Sequence, residues 1–266
     1  MFPFHDNNPT YRLAIVTYAI IAINTLCWIA VSTQPEGRQL QIVMEYGFVP
    51  ARIGQLTNPD LIIPVHVPGD PRIPAGIPPE EVHRFRSDPP AILLSIFTSM
   101  FLHGGLMHLL GNMWFLFVFG NNVEDRLGHV LYLIFYLLGG LIAVACHWLS
   151  GPNSTIPVIG ASGAVSAVLG GYAVTFPHAK VKTLVFLVFI ITVIELPAMA
   201  VLGFWFVMQL LEGVGTLNVE VGGGVAWWAH VGGFVGGMIL MPVFRSIAPA
   251  YPPVQAQQPY PGDWEK

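Results

Sequence analysis

Long apolar runs constrain the fold of this chain more than any other feature of its sequence. Each run is bounded by Gly, Pro, Asn or charged residues, and most reach the length that crosses a hydrocarbon core of roughly 30 Å. A mean hydropathy of +0.63 and a charged fraction of 10% agree with burial in lipid. We therefore predict an all-α polytopic membrane protein with six transmembrane helices, over residues 12–32, 103–120, 130–149, 157–176, roughly 196–214, and 225–244.

The segments outside these helices define the domain plan. The 266 residues are predicted to form one membrane domain over residues 1–245. Residues 33–91 form a long, Pro-rich outer loop, which we expect to be irregular around Val67–Pro90. Residues 246–266 are rich in Pro and Gln and cannot bury apolar area, so we predict a disordered C-terminal tail.

Cysteine and charge counts exclude several classes of protein. Both cysteines, Cys27 and Cys146, fall inside predicted helices, which argues against a disulfide framework and against a Cys-rich metal site. A net charge of -4 with only 11 basic residues leaves no polybasic patch, so we expect no nucleic-acid partner. We also expect no metal ion and no organic cofactor.

The distribution of basic residues predicts the orientation in the membrane. The loops 149–156 and 215–224 contain no Lys or Arg, and basic residues flank the helices on the opposite side. By the positive-inside rule both termini are cytoplasmic, and we expect an integral protein of a bacterial cytoplasmic (plasma) membrane. The basic residues on that side are Arg12, Arg126, Lys180, Lys182 and Arg245.

The segment Val181–Leu211 is too long for one straight helix, because it is apolar over about 30 residues. Glu195-Leu196-Pro197 interrupts it near the middle, and proline breaks or kinks helices. Two interpretations stay open: the first half lies at or dips into the cytoplasmic leaflet, or the segment forms one long tilted helix with a kink.

Four polar residues are predicted to share one depth in the membrane. Ser162 lies about six residues into its helix and His230 about five, which at 1.5 Å per residue places both roughly 8–10 Å below the outer surface. His108 and Asn112 are four residues apart, and therefore lie on one face of the second helix at a similar depth.

Stripes of small residues predict which helices pack together. One helix aligns Ser162, Ser166 and Gly170, and another aligns His230, Gly233 and Gly237. Small residues let helix backbones approach closely in lipid, so we expect these two faces to be in contact. Docking them brings the Ser162 hydroxyl to the His230 imidazole.

A serine beside a histidine can perform acyl transfer. The imidazole removes the hydroxyl proton, and free N–H groups at the helix N-terminus can bind an oxyanion. The only carboxylate within the apolar segments, Glu195, is predicted near the cytoplasmic side, so a Ser-His dyad fits better than a triad. His108 and Asn112 are then candidate oxyanion donors.

The chain resembles the rhomboid family of intramembrane serine proteases over residues of about 95–244. Any one of the motifs alone is weak, but four in the same order on consistent helices are specific. These motifs are His103-Gly104-Gly105-Leu106-Met107-His108-Leu109-Leu110-Gly111-Asn112, Val123-Glu124-Asp125-Arg126-Leu127-Gly128, Gly160-Ala161-Ser162-Gly163, and Ala229-His230-Val231-Gly232-Gly233 followed by Gly237.

The resemblance implies a six-helix rhomboid-like bundle and a role for each site residue. Ser162 is the nucleophile and His230 its base, while His108, Asn112 and the Ser162 backbone N–H stabilise the oxyanion. Glu124 and Arg126 are structural. The family cleaves transmembrane helices of other membrane proteins near their outer ends, prefers small residues at the cut, and needs no metal or organic cofactor. The implied partners are transmembrane protein substrates and the lipid bilayer.

Two positions differ from the usual pattern of the family. Rhomboids often have a tyrosine four residues after the serine, packed under the histidine, whereas this chain has Ser166. What orients the His230 ring is therefore left open. The Trp-Arg pair in the first loop of many relatives is also absent, and Arg84-Phe85-Arg86 does not reproduce it.

Other readings of the same residues are less specific. A glycine-flanked serine can be a packing residue, and a histidine in a membrane helix can be structural or line a pore. A transporter or channel predicts internal repeats, which the sequence lacks. A haem or zinc protein lacks support because there is no His-Glu-x-x-His and no Cys cluster. A catalytically inactive rhomboid relative that only binds client helices also remains an alternative.

Overall fold

The computed structural model describes residues 2–64, 84–85, 87–187, 190–215 and 226–249. Most of these residues are helical, and the helices pack into one bundle. In chain order the helices are α1 Ile15–Ser32, α2 Glu36–Tyr46, α3 Pro89–Thr98, α4 Leu106–Leu127, α5 His129–Ser150, α6 Ser162–Thr175, α7 Ala198–Gly215 and α8 Trp227–Ile247. The strands are β1 Phe2–Asp6, β2 Ile63–Pro64, β3 Arg84–Phe85, β4 Lys180–Leu187 and β5 Ile190–Pro197.

The predicted helical membrane bundle is confirmed, whereas the predicted count of six transmembrane helices stays a prediction. A helix lies at each predicted position: α1, α4, α5, α6, α7 and α8. Of the described helices, α1, α5 and α8 are long and apolar enough to cross a membrane. The bent pair of α3, with its short 3-10 extension, and α4 also passes this test together, with an angle of 78° between its parts. By the same criteria α6 and α7 are shorter apolar helices.

Helix α6 lies at the centre of the bundle and contacts α8 through bare backbone. A side chain added at Gly237 would overlap the Ala167 carbonyl, and one at Gly170 would overlap the Phe234 carbonyl. Such close approach requires glycine and gives the dense packing that holds helices together in lipid. The predicted contact between the two small-residue faces is therefore confirmed, and Gly163 and Gly233 belong to it.

A three-stranded antiparallel sheet, of order β1-β4-β5, was not predicted. Its hairpin corrects the interpretation of Val181–Leu211 as one long tilted helix, since residues 180–187 and 190–197 form strands. The other interpretation, in which the first half lies at or dips into the cytoplasmic leaflet, stays a prediction. Val181, Thr183 and Val185 are buried and Lys182 is exposed, which is the period of two that one buried face of a sheet produces. The break at Pro197 is confirmed, because α7 begins at Ala198.

The two ends of the bundle differ in their connections. At one end the backbone N–H of Arg12 donates to Asp125, and that of Lys180 donates to Asn7 beside the sheet. We call this the sheet end. At the opposite end, which we call the serine end, α4, α6 and α8 begin. The predicted grouping of Arg12 and Lys180 on one side agrees with this arrangement.

The predicted long loop contains ordered elements. Helix α2 is followed by a 3-10 helix over Pro50–Leu56, and α3 already begins at Pro89, inside the stretch expected to be irregular. Residues 65–83 and 86 of that stretch lie outside the described residues. So do residues 250–266 of the predicted tail, whereas α8 continues to Ile247 and ends later than predicted.

Candidate active site

Ser162 is the first residue of α6, whereas the sequence analysis predicted it about six residues inside a helix. The difference arises because the preceding residues are not helical. Gly160 has a φ of 127°, a region that favours glycine, and its N–H donates to the Ser99 carbonyl at 2.9 Å. Val158 forms a β-bridge with Phe48 of the long loop. Contacts of the preceding residues with Ser99 and Phe48 thus fix the position at which α6 begins.

Gly160 is close to both Ser162 and His108. A Cβ atom at Gly160 would be 2.7 Å from His108 Nε2 and 3.5 Å from Ser162 Oγ. The imidazole of α4 and the hydroxyl of α6 therefore both lie next to the space that a side chain of this residue would enter, which requires glycine at this position. The structure brings together these two predicted site residues.

His230 is brought to the serine by the contact between α6 and α8. A Cβ atom at Gly163 would lie 3.9 Å from both the Cβ and the carbonyl oxygen of Ala229, and one at Gly233 would overlap the Gly163 carbonyl. His230, the fourth residue of α8, follows Ala229 directly and is only 8% exposed. The structure therefore places it at the level of Ser162.

The side chain that holds His230 is Gln209 of α7. Its Oε1 lies 2.5 Å from His230 Nδ1. The rings of Trp205 and Trp227 lie 6.1 and 6.0 Å from the imidazole, centroid to centroid. Ser166 has another role, because its hydroxyl donates to the Ser162 carbonyl at 2.6 Å. Sequence reasoning did not find Gln209, although a carboxamide within the apolar run of α7 was the available signal.

Asn112 lies one turn after His108 on α4 and is 8% exposed. Its Nδ2 has no hydrogen-bond partner among the described residues. His108 is exposed and packs edge-to-face on His103, with ring centroids 5.1 Å apart. His103 is buried. The Asn112 amide thus keeps a donor that no described residue uses.

A cavity adjoins Ser162 between α5, α6 and the start of α8. Its volume is about 20 Å³, so it can hold little more than a small apolar group. Among the residues that line it are Gly140, Ala143, Gly160, Gly163, Ala226 and Ala229.

The family follows from a comparison with known proteins. Residues 90–247 match the Rhomboid domain, and this stretch is more than half of the chain. The protein belongs to the rhomboid family. The prediction of an integral membrane protein is confirmed by this membership together with the apolar helices.

Several named rhomboid proteins are similar to parts of the chain. RHOMBOID-like protein 4 of Arabidopsis thaliana is 33% identical over 148 residues, which cover 52% of this chain and 31% of that protein. Rhomboid protein 1, mitochondrial, of Saccharomyces cerevisiae is 36% identical over 97 residues, covering 35% and 28%. Presenilin-associated rhomboid-like protein A, mitochondrial, of Danio rerio is 30% identical over 89 residues, covering 33% and 23%.

The chain thus spans less than a third of the length of these relatives. Two of them carry "mitochondrial" in their names, and a further match, Rhomboid-like protein 11 of Arabidopsis thaliana, is chloroplastic. The comparisons therefore give no support to the predicted placement in a bacterial plasma membrane.

Two described carboxylates of this rhomboid protein, those of Glu195 and Glu124, lie away from Ser162. Glu195 is in β5 at the sheet end, half exposed, with its carboxylate 3.7 Å from Lys180. Glu124 is fully buried and accepts hydrogen bonds from the backbone N–H groups of Val16 and Thr17 at the start of α1. Among the described residues, no group of three or more His, Cys, Asp or Glu side chains could hold a metal ion.

Proposed function

We propose that this rhomboid protein is an intramembrane serine endopeptidase. It hydrolyses peptide bonds in or near the outer ends of transmembrane helices of other membrane proteins, using a dyad of Ser162 and His230. The observation that carries the proposal is the start of α6. There the Ser162 hydroxyl and the His108 imidazole both lie close to Gly160, and Ala229, which precedes His230 in α8, lies close to Gly163.

Each step of the reaction can be assigned to a residue. His230 removes the proton from Ser162 Oγ as the oxygen attacks the scissile carbonyl, forming a tetrahedral intermediate. The Asn112 amide, the His108 ring N–H and the free backbone N–H of Ser162 bind its oxyanion. His230 then gives its proton to the leaving amine, and a water molecule activated by the same imidazole releases the acyl group from the serine.

The unpaired donor at Asn112 supports this assignment. A buried amide without a partner costs roughly 1–3 kcal/mol, and a folded protein tolerates such a cost where the group has a task. An oxyanion that forms only in the transition state supplies the missing partner without strengthening ground-state binding.

The cavity beside Ser162 supports a preference for small residues at the cut. Its volume of about 20 Å³ leaves room for a side chain such as alanine and excludes larger ones. By the positive-inside rule, the basic residues at the sheet end favour a cytoplasmic location for both termini. The serine end then opens toward the outer leaflet, where a substrate helix ends.

A fluorophosphonate probe tests the proposal. We expect the purified protein to be labelled at Ser162, and Ser162→Ala to lose both labelling and cleavage of a transmembrane substrate while remaining folded. Ser166→Ala is the matched control, because Ser166 lies on the same helix with its hydroxyl bound to a backbone carbonyl. It should keep the label.

Labelling at Ser166 or Ser99 would overturn the assignment of the nucleophile. A folded protein that neither reacts with the probe nor cleaves a substrate, but still binds transmembrane helices, would instead be an inactive relative that binds clients.

A further inference from the structure

We propose that Gln209 is the positioning residue of the general base: its Oε1 accepts the hydrogen bond of His230 Nδ1–H and so directs Nε2 at Ser162. The inference rests on the proposed function, since it assigns a role only if His230 acts as a base. It also answers which group orients the imidazole in a chain that has Ser166 where many rhomboids have tyrosine.

The geometry limits the imidazole to one orientation. The Oε1 atom of Gln209 lies 2.5 Å from Nδ1, and this contact joins α7 to α8. The Trp205 ring is tilted by 37° and the Trp227 ring stands at 87° to the imidazole, so aromatic surfaces flank it from both helices. With His230 only 8% exposed, solvent offers little alternative to the amide.

The hydrogen bond also selects a tautomer. A carbonyl oxygen can only accept, so Nδ1 must carry the proton and Nε2 keeps the lone pair that takes the serine proton. In a catalytic triad a carboxylate fills this place. Here a neutral amide fills it, and it fixes the tautomer without adding a negative charge.

Few charged groups of the described residues surround His230. Within that part of the chain, His108 on α4 and His147 on α5 are the titratable groups whose charges reach it. Helix α6 presents the uncharged Ser162, and α7 carries Glu212 as an exposed side chain three residues after Gln209. A change at Gln209 can therefore be compared with a change at Glu212 on the same helix.

Three variants separate positioning from packing. Gln209→Met keeps the length of the side chain but removes the acceptor, and we expect kcat to fall about tenfold to a hundredfold with little change in KM. Gln209→Glu restores an acceptor and adds a charge that stabilises the protonated imidazole. It should be more active than Gln209→Met, with the acid limb of its kcat/KM profile moved to higher pH. Glu212→Gln is the control and should match the wild type within about twofold.

The outcomes distinguish the two proposals. If Gln209→Met turns over as fast as Glu212→Gln, the positioning role is wrong. It is equally wrong if Gln209→Met and Gln209→Glu are impaired alike and the acid limb does not move, because Gln209 then only fills space. If the wild type itself neither reacts with a fluorophosphonate nor cleaves a substrate, the proposed protease function is wrong.

Discussion

Two asparagines on α4 show how differently the two ends of the bundle use the same side chain. Asn122, at the sheet end, is buried and donates from Nδ2 to the Asp6 carboxylate at 2.7 Å. Asn112, at the serine end, is also buried, and its Nδ2 has no partner among the described residues. The two amides are ten residues apart on one helix.

Several buried polar groups at the sheet end are paired with one another. Asp6 also accepts a hydrogen bond from the Tyr172 hydroxyl at 2.6 Å, and that hydroxyl accepts one from Asn8. Burial raises the pKa of the Asp6 carboxyl, and the bond from Tyr172 opposes part of this shift. The fully buried Glu124 is likewise surrounded by donors, which include the backbone of Thr17. This network ties β1 and α1 to the bundle.

The contrast indicates where stability and chemistry reside. A polar group whose bonds are complete contributes to folding but has no capacity left for a substrate. A buried donor without a partner weakens the fold and remains available to charge that develops during a reaction. Substitutions at the sheet end should therefore change stability, and substitutions at the serine end should change turnover.

The largest expected effect belongs to His230→Ala. Without its base the serine hydroxyl is a weak nucleophile, so we expect turnover to fall by about 10⁴-fold or more and probe labelling to be nearly lost. Cleavage of a transmembrane substrate by the purified variant measures this. His129→Ala is the control at the sheet end, where His129 contacts Glu124 at 2.6 Å. If His129→Ala lost as much turnover per folded molecule, the division between the ends would fail.

Asn112→Ala should have the next largest effect, on rate. Removal of one oxyanion donor costs roughly 10²–10³ in kcat, or about 3–4 kcal/mol, and affects KM much less. The melting temperature should stay the same or rise, because the substitution removes a buried Nδ2 donor that forms no bond within the described structure. His108→Ala should lower turnover in the same way. Wild-type turnover in both variants would mean that α4 does not face the serine.

Asn122→Ala should show the opposite pattern. It deprives the buried Asp6 of one donor, so we expect a loss of about 1–3 kcal/mol in the free energy of unfolding. Turnover per folded molecule should remain at the wild-type level. Thermal unfolding and single-turnover cleavage, measured on the same preparation, test both statements. A loss of rate as large as that of Asn112→Ala would show that the two ends are coupled.

The helices and the meeting of α6 with α8 could be predicted from sequence because both follow from local patterns. Long apolar runs place the helices, and small residues at helical spacing identify the faces in contact. The β4-β5 hairpin was missed because its strands lie in a run apolar on nearly every residue, where alternation carries no signal. Its abundance of Val, Ile and Thr was the remaining indication. The contact of Gln209 with His230 depends on how α7 packs, which no local pattern contains.

Glu195→Gln should have the smallest effect and tests the same division from the sheet end. Glu195 is half exposed and its carboxylate lies 3.7 Å from Lys180 Nζ. An exposed ion pair of this kind contributes about 0–1 kcal/mol to the free energy of unfolding. It lies in β5, and Ser162 begins α6 at the other end of the bundle. We therefore expect cleavage within about twofold of the wild type and a nearly unchanged melting temperature. A folded variant as inactive as Ser162→Ala would make Glu195 the missing acid, and neither the dyad nor the separation of the two ends would stand.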